Sequence, residues 1–149
     1  MDLTRFDTKD AAETGRKLHM RHPFKGHLLY VGEGAAEETG RLSNKSKPHE
    51  PVTITVRGFH SESVAAHLRS LSADRLKNGD EDIDADENAD NLIDLLVTGW
   101  ENITGDDGEP RPCDRKNKVL VVRSNSDFEL QVVNFARDQA NFFGKPAKT

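Results

Sequence analysis

Apolar side chains recur at two different periods along this chain, and the change of period divides it. In the first half Val52, Ile54 and Val56 alternate with Thr53, Thr55 and Arg57. Successive side chains of a strand point to opposite faces, so the alternation predicts a half-buried strand, broken by Gly58. Leu18 and Met20, then Leu28 and Tyr30, repeat that spacing on either side of His22-Pro23-Phe24-Lys25-Gly26. A Pro and Gly pair between two such runs predicts a hairpin connection. Ahead of it, Asp7 or Thr8 is placed to cap a short helix that runs through paired alanines to Gly15. Residues 32–50 are rich in Gly, Ser, Lys and Glu with Leu42 as their large apolar residue, which predicts a long surface loop.

Helical spacing takes over after Gly58. Ser61 caps a predicted helix with the stripe Val64, Leu68, Leu71 and Leu76, stopped by Asn78-Gly79. Asp80 to Glu87 reads as a solvated acidic connection before a second helix from about Asp86 to Gly99, whose inward stripe is Leu92, Ile93, Leu96, Val97 and Trp100. Pro110 and Pro112 keep the next turn extended, and Asp114 caps a short helix, although β-branched Val119 to Val122 equally fit a buried strand. A final helix starts from the capping box Ser126-x-x-Glu129, presents Phe128, Val132, Phe135 and Phe143, and ends at Gly144 before Pro146. The pattern predicts an α+β fold: a small antiparallel hairpin or sheet in the N-terminal half, then a helical C-terminal half. It forms a single domain over 1–149, with 1–58 mainly β and 61–144 mainly helical.

Composition narrows this picture. Leu, Ile, Val and Phe number 34 of 149 residues, just above the level at which chains stay disordered, so the core should be modest. The lone cysteine, Cys113, excludes an internal disulfide and a cysteine-built zinc site. Nothing near Met1 reads as a signal peptide and no apolar run approaches the ~20 residues of a membrane span, so an intracellular, soluble protein is expected. Charge is segregated: residues 80–109 hold twelve acids and no Lys or Arg, while the rest, with 21 basic and 14 acidic residues, is net positive. Such a block is a solvated face or a complement to a basic surface on another copy. Arg111, Arg115, Lys116, Lys118 and Arg123 form a basic cluster, but without interleaved aromatics or a known nucleic-acid motif, so nucleic acid is not the expected partner.

No set of residues assembles a catalytic signature. Gly32-Glu33-Gly34 follows the apolar run Leu28 to Val31 as a dinucleotide loop would, yet Glu37 stands at the third glycine position and would repel phosphate. Asp80, Asp82, Asp84 and Asp86 alternate like calcium ligands, but starting at Asp82 puts Glu87 where glycine is needed and Ile93 where glutamate is needed. His19, His22 and His27 suggest a metal triad that strand alternation would split. His60 and His67 lack companions. Cys113 sits among basic residues that could lower its pKa, without a histidine nearby in sequence. A protein that is not an enzyme, with no cofactor and no metal, is the expectation.

Aromatic residues remain as partner-binding candidates, because such side chains dominate interface energetics. Trp100 and the pair Phe142-Phe143 qualify, since two adjacent aromatics cannot share one helical stripe, and Arg115, Lys116 and Lys118 add charge. The order of parts from Leu92 to Gly144 is Gly99-Trp100, a Gly108-Glu109-Pro110 turn, a short helix holding Asn117 and a closing helix ending Asn141-Phe142-Phe143-Gly144. Together with Asp7-Thr8, Arg21-His22-Pro23 and the strand Val52 to Gly58, it resembles small tail proteins of tailed bacteriophages, chiefly the tail assembly chaperone type. The resemblance implies a non-enzymatic protein of the host cytoplasm that keeps the tape measure soluble and recruits tube subunits. It also implies that Trp100, Phe135 and Phe143 define the fold. The chain departs in its polar insertion, Gly32 to Glu50, and in Pro112-Cys113-Asp114. Those departures keep an alternative open, a structural subunit retained in the virion tail, baseplate or connector, and copies of the chain itself are a further expected partner.

Overall fold

A computed structural model describes residues 1–31, 35–36, 41–42, 50–78 and 85–144. After a 3-10 turn at Leu3–Phe6, helix α1 (Lys9–Thr14) starts where the Asp7 carboxylate accepts the Lys9 N–H at 2.9 Å. It ends at Gly15, φ 94°, where a Cβ would lie 3.0 Å from Thr55 Cγ2 and 3.2 Å from the Val56 carbonyl. That close approach delivers the chain into strand β1 (Arg16–His19).

The elements that follow are β2 (Tyr30–Val31), β3 (Ala35–Ala36), β4 (Arg41–Leu42), β5 (Glu50–Pro51) and β6 (Thr53–Val56). The helical part then holds α2 (Glu62–Asn78), α3 (Ala85–Leu96), a further strand β7 (Val97–Glu101), α4 (Arg115–Val122) and α5 (Ser126–Arg137). The fold is mixed α+β, as expected. Its main sheet is antiparallel in the order β1-β6-β7, with Leu18 opposite Ile54 and Ile54 opposite Trp100.

The predicted hairpin forms from its turn out to Met20 and Leu29, where the Leu29 N–H donates to the Met20 carbonyl at 3.0 Å, but its arms do not stay paired further out. His22 N–H donates to the His27 carbonyl at 2.8 Å, Gly26 N–H to the His22 carbonyl at 2.9 Å, and Arg21 bridges Leu28. Beyond that the arms separate. β1 pairs with β6, whereas β2 pairs with β5. The alternating strand β6 has buried Ile54 and Val56, and its ladder must be satisfied on both edges, so it takes β1 away from the returning arm. The predicted loop 32–50 holds the short β3·β4 ladder; its other residues up to 49 lie outside those described.

Several expectations for the helical half are corrected. Helix α3 stops at Leu96 rather than Gly99, and Val97–Glu101 forms β7 against β6. β-branched Val97 and Thr98 followed by Gly99 are weak helix formers, and the open edge of β6 supplies the partners a strand needs. On α2, Ser61 caps as predicted, accepting the Val64 N–H at 3.3 Å, but only Val64 of the stripe is buried. Leu68 is 40% and Leu76 91% exposed. In the last helix the cap is Asn125, whose side chain accepts from Asp127 N at 2.8 Å, in place of Ser126.

That helix also ends early, at Arg137, and Asp138 opens a new 3-10 turn, Gln139–Phe142, by accepting the Ala140 N–H at 3.0 Å. The break changes the phase of the stripe. Phe142 is buried, 1% exposed, and Phe143 is 50% exposed, the reverse of the predicted stripe. The Val119 to Val122 ambiguity resolves to helix: Asp114 accepts from Asn117 N at 2.9 Å and starts α4. One core cluster joins Met20, Ile54 and Val56 to Val64, Leu96, Val122 and Val132, so both halves share a single interior.

Phe142→Ala is expected to lower unfolding free energy by about 3 to 5 kcal/mol, the cost of emptying a buried aromatic site. Phe143→Ala is expected to cost about 1 kcal/mol or less, since half of that ring is already in water. Urea denaturation of the two variants measures the difference, and equal losses would contradict the burial assignment.

Candidate functional site

The six partner-binding candidates do not form one surface. Trp100 on β7 is half-buried against the core and its indole Nε1–H donates to the Arg111 carbonyl at 2.8 Å, so the ring is used internally. Phe142 meets the rings of His60 and Phe135 edge-on at 5.4 and 5.7 Å and is closed to a partner.

The basic cluster is also mostly spoken for. Lys118 Nζ lies 3.1 Å from both the Asp94 carbonyl and Asp94 Oδ1, and Arg115 lies 3.6 Å from the same carboxylate. Arg123 bonds Asp90 at 2.8 Å and Asp86 at 3.4 Å, and these hydrogen bonds, Asp90 first, hold its proton more firmly than usual. Asp86, Asp90 and Asp94 recur every four residues and so share one side of α3. Within the described part of the acidic block, these three aspartates therefore pair with α4 and its C-terminal cap in the same chain, and Glu101 pairs with Lys17 on β1 at 2.7 Å. Among the described residues only Lys116, of the three candidate cations, makes no ion pair or hydrogen bond.

Phe143 is the aromatic candidate left to the surface. Its ring stacks on Phe6 with centroids 5.9 Å apart and 20° between planes, and the Arg5 guanidinium covers Phe6 at 4.9 Å. Phe6 is 50% and Leu3 70% exposed. Leu3 and Phe6 also wall a cleft of about 340 Å³ whose floor holds Thr8, hydrogen-bonded to His60 Nε2 at 2.6 Å. Sequence reasoning missed Leu3 and Phe6, because no periodic run contains them. A second apolar feature went equally unannounced, a cavity of about 200 Å³ walled by Met20, Leu29, Val52, Ile103, Val121 and Phe128.

His19 and His22 hold local backbone in place. His19 Nε2 donates to the Leu29 carbonyl at 2.7 Å while its ring meets Tyr30 edge-on. His22 Nδ1 accepts from the Phe24 and Lys25 N–H groups at 3.2 and 3.1 Å, and its ring lies 5.0 Å from that of His27. Among the described residues no three His, Cys, Asp or Glu side chains are grouped to hold a metal ion. The Gly32 to Gly34 stretch and Asp80, Asp82 and Asp84 lie outside the described residues.

Two ionisable groups are shifted by their surroundings. Packing against the core pushes the Cys113 thiol up, and Lys118 offsets this only in part, so the basic neighbourhood does not activate it as the sequence suggested. Glu13 accepts the Ser63 hydroxyl and, at 3.0 Å, the Ser63 N–H, which hold its carboxyl below its ordinary value of 4.5, with a lesser contribution from Arg57. This contact ties the end of α1 to the first turn of α2, where the free N–H groups of a helix favour a carboxylate.

No helix among the described residues is long and apolar enough to cross a membrane. The geometry defines an α+β protein that leaves a few large apolar and aromatic side chains, Leu3, Phe6 and Phe143 among them, at an otherwise charged surface. No protein-family model, curated protein or solved structure matches the chain.

Because Glu13 ionises more readily folded than unfolded, its stabilising contribution is complete above pH 4.5 and disappears as pH falls through the lowered folded value. Ser63→Ala should shrink that acid-side loss, leaving the part owed to the residue-63 N–H and Arg57, while lowering stability at pH 7; denaturation curves between pH 3 and pH 7 test it, and a profile parallel to that of the unaltered chain would refute it. Cys113 should react with iodoacetamide at pH 8 at least tenfold more slowly in the folded chain than in urea. Equal rates would show that burial does not control the thiol.

Proposed function

We infer that this chain is a tailed-phage tail morphogenesis protein that acts by binding other proteins, as a tail assembly chaperone for the tape measure and tube, in the host cytoplasm. The observation that carries the reading is the apolar patch of Leu3, Phe6 and Phe143. Phe143 belongs to the closing Asn-Phe-Phe-Gly motif on which the resemblance rests, yet half of its ring stays in water. An aromatic that contributes little to the interior but stacks in a fixed orientation is suited to anchoring a partner. The patch is built by the two ends of the described chain, beside a cleft of about 340 Å³ able to receive a partner's side chain. The α3·α4 ion pairs agree with that reading, since they engage Arg115, Lys118 and Arg123 within the chain.

Tagged chain co-expressed with the tail genes is expected to co-purify with the tape measure and tube subunits. The Phe6→Ala/Phe143→Ala double variant should lose that binding at least tenfold while remaining folded. Co-purification with neither protein would overturn the reading. Abundant, stoichiometric peptides in mature particles would replace it with a structural subunit retained in the tail, baseplate or connector.

A further inference from the structure

The turn at 22–27 closes on a single residue, His22, through its backbone and its ring. Its N–H donates to the His27 carbonyl at 2.8 Å, and its own carbonyl accepts the Gly26 N–H at 2.9 Å. Across the tip, His22 Nδ1 accepts the Phe24 N–H at 3.2 Å and the Lys25 N–H at 3.1 Å. Pro23 has no N–H, so these are the first two amides after the ring, and one nitrogen holds both. The half-buried imidazole thus acts as Asp or Asn does in an Asx turn, where a side-chain acceptor reaches an amide two residues on.

Histidine differs from Asp and Asn in how it loses that acceptor. Neutral imidazole keeps one bare nitrogen, whereas imidazolium carries a proton on both and accepts nothing. With Nδ1 protonated, three N–H groups converge on one point and the arrangement that held the tip opposes it. Histidine is the side chain for which this change falls in the range of about pH 5 to 8.

The charged and titratable groups around the ring come from the turn and from α5. Within the turn, the His27 ring lies 5.0 Å away, the Arg21 guanidinium donates to the Gly26 carbonyl at 3.0 Å, and Lys25 supplies one of the two amides. From α5, Gln131 Oε1 accepts the Arg21 N–H at 2.9 Å and Gln131 Nε2 donates to the Arg21 carbonyl at 3.0 Å and to Asp127 at 2.8 Å. A proton on His22 therefore arrives beside two cationic residues of the same turn, while the acid on α5 is engaged by Gln131. The bonds at the base of the turn use backbone groups and Gln131, together with the 3.0 Å bond from Leu29 N–H to the Met20 carbonyl, so none of them depends on the ring.

We propose that His22 is a pH-sensitive latch for the tip of this turn. Neutral, it holds the Phe24 backbone so that the side chain, 83% exposed, is presented in one orientation. Protonated, it releases residues 23–25 while the base of the turn stays closed. The inference concerns this turn alone and stands apart from the tail reading.

Nuclear magnetic resonance of the full chain, titrated from about pH 8 to about pH 5, follows the His22 ring and the backbone amides together. The Phe24 and Lys25 amide signals are expected to move with the midpoint of the His22 ring. After correction for the intrinsic pH dependence of exchange, their protection from solvent should fall about threefold or more, the worth of a modest hydrogen bond, while that of the Leu29 amide stays unchanged. His22→Ala should show the released tip already at the alkaline end with no transition, and His27→Gln should retain the transition. Phe24 and Lys25 amides that stay in place while the His22 ring titrates would overturn the proposal. So would a transition that survives His22→Ala, or one abolished by His27→Gln, which would assign it to the neighbouring ring. An equal loss of protection at Leu29 would also overturn it, since the whole hairpin rather than its tip would then be opening.

Discussion

Strand β6 must be hydrogen-bonded on both edges, and much of the architecture answers that demand. Its Ile54 and Val56 are fully buried, so its backbone amides and carbonyls have no water to turn to. One edge is met by β1 from the N-terminal part and the other by β7 from the middle of the helical part. The sheet thereby fastens segments separated by about eighty residues, and the helices pack on the apolar face it creates. Arg57, just past β6, extends the same function: its guanidinium donates to the Glu13 and Leu95 carbonyls at 2.9 and 3.1 Å, satisfying groups near the C-terminal ends of α1 and α3.

The second organising interaction is electrostatic. Three aspartates four residues apart on α3 face Arg115 and Lys118 on α4 and Arg123 at its C-terminal cap, and the Lys118 side chain is only 13% exposed where it meets Asp94. Partial burial lets such a pair set the register of two helices more firmly than a fully solvated pair would. A charge segregation that suggested intermolecular contact is thus spent largely within the chain. The large apolar side chains left at the surface include the stacked Phe6 and Phe143 and the Phe24 ring at its turn.

The candidate surface was only partly legible in the sequence. Residue type singled out Trp100, Phe142 and Phe143 as partner-binding candidates, and adjacency required that Phe142 and Phe143 diverge. Which of them turned inward depended on the helix break at Asp138, a capping event that shifts the stripe and that a periodic reading carried through to Gly144. Phe6 gained its meaning only from Phe143, 137 positions away in a chain of 149 residues. Likewise Arg115 and Lys118 looked available because Asp94, their counter-ion, lies on a different element.

Local chemistry by itself determined several elements: the alternating strand at β6, the Ser61 and Asp114 caps, the turn after His22 and the end of α1 at Gly15. Each depends on side-chain period, a short-range hydrogen bond or a backbone conformation that neighbours in sequence specify. Tertiary structure decided the rest. Val97 to Glu101 carried a helical apolar stripe and became a strand because an unpaired sheet edge outweighs a few residues of weak helix preference. The same holds for the separated hairpin arms, the inward Phe142 and the neutralised basic cluster. In each case the deciding partner is distant in sequence, and no local pattern encodes which distant group will arrive.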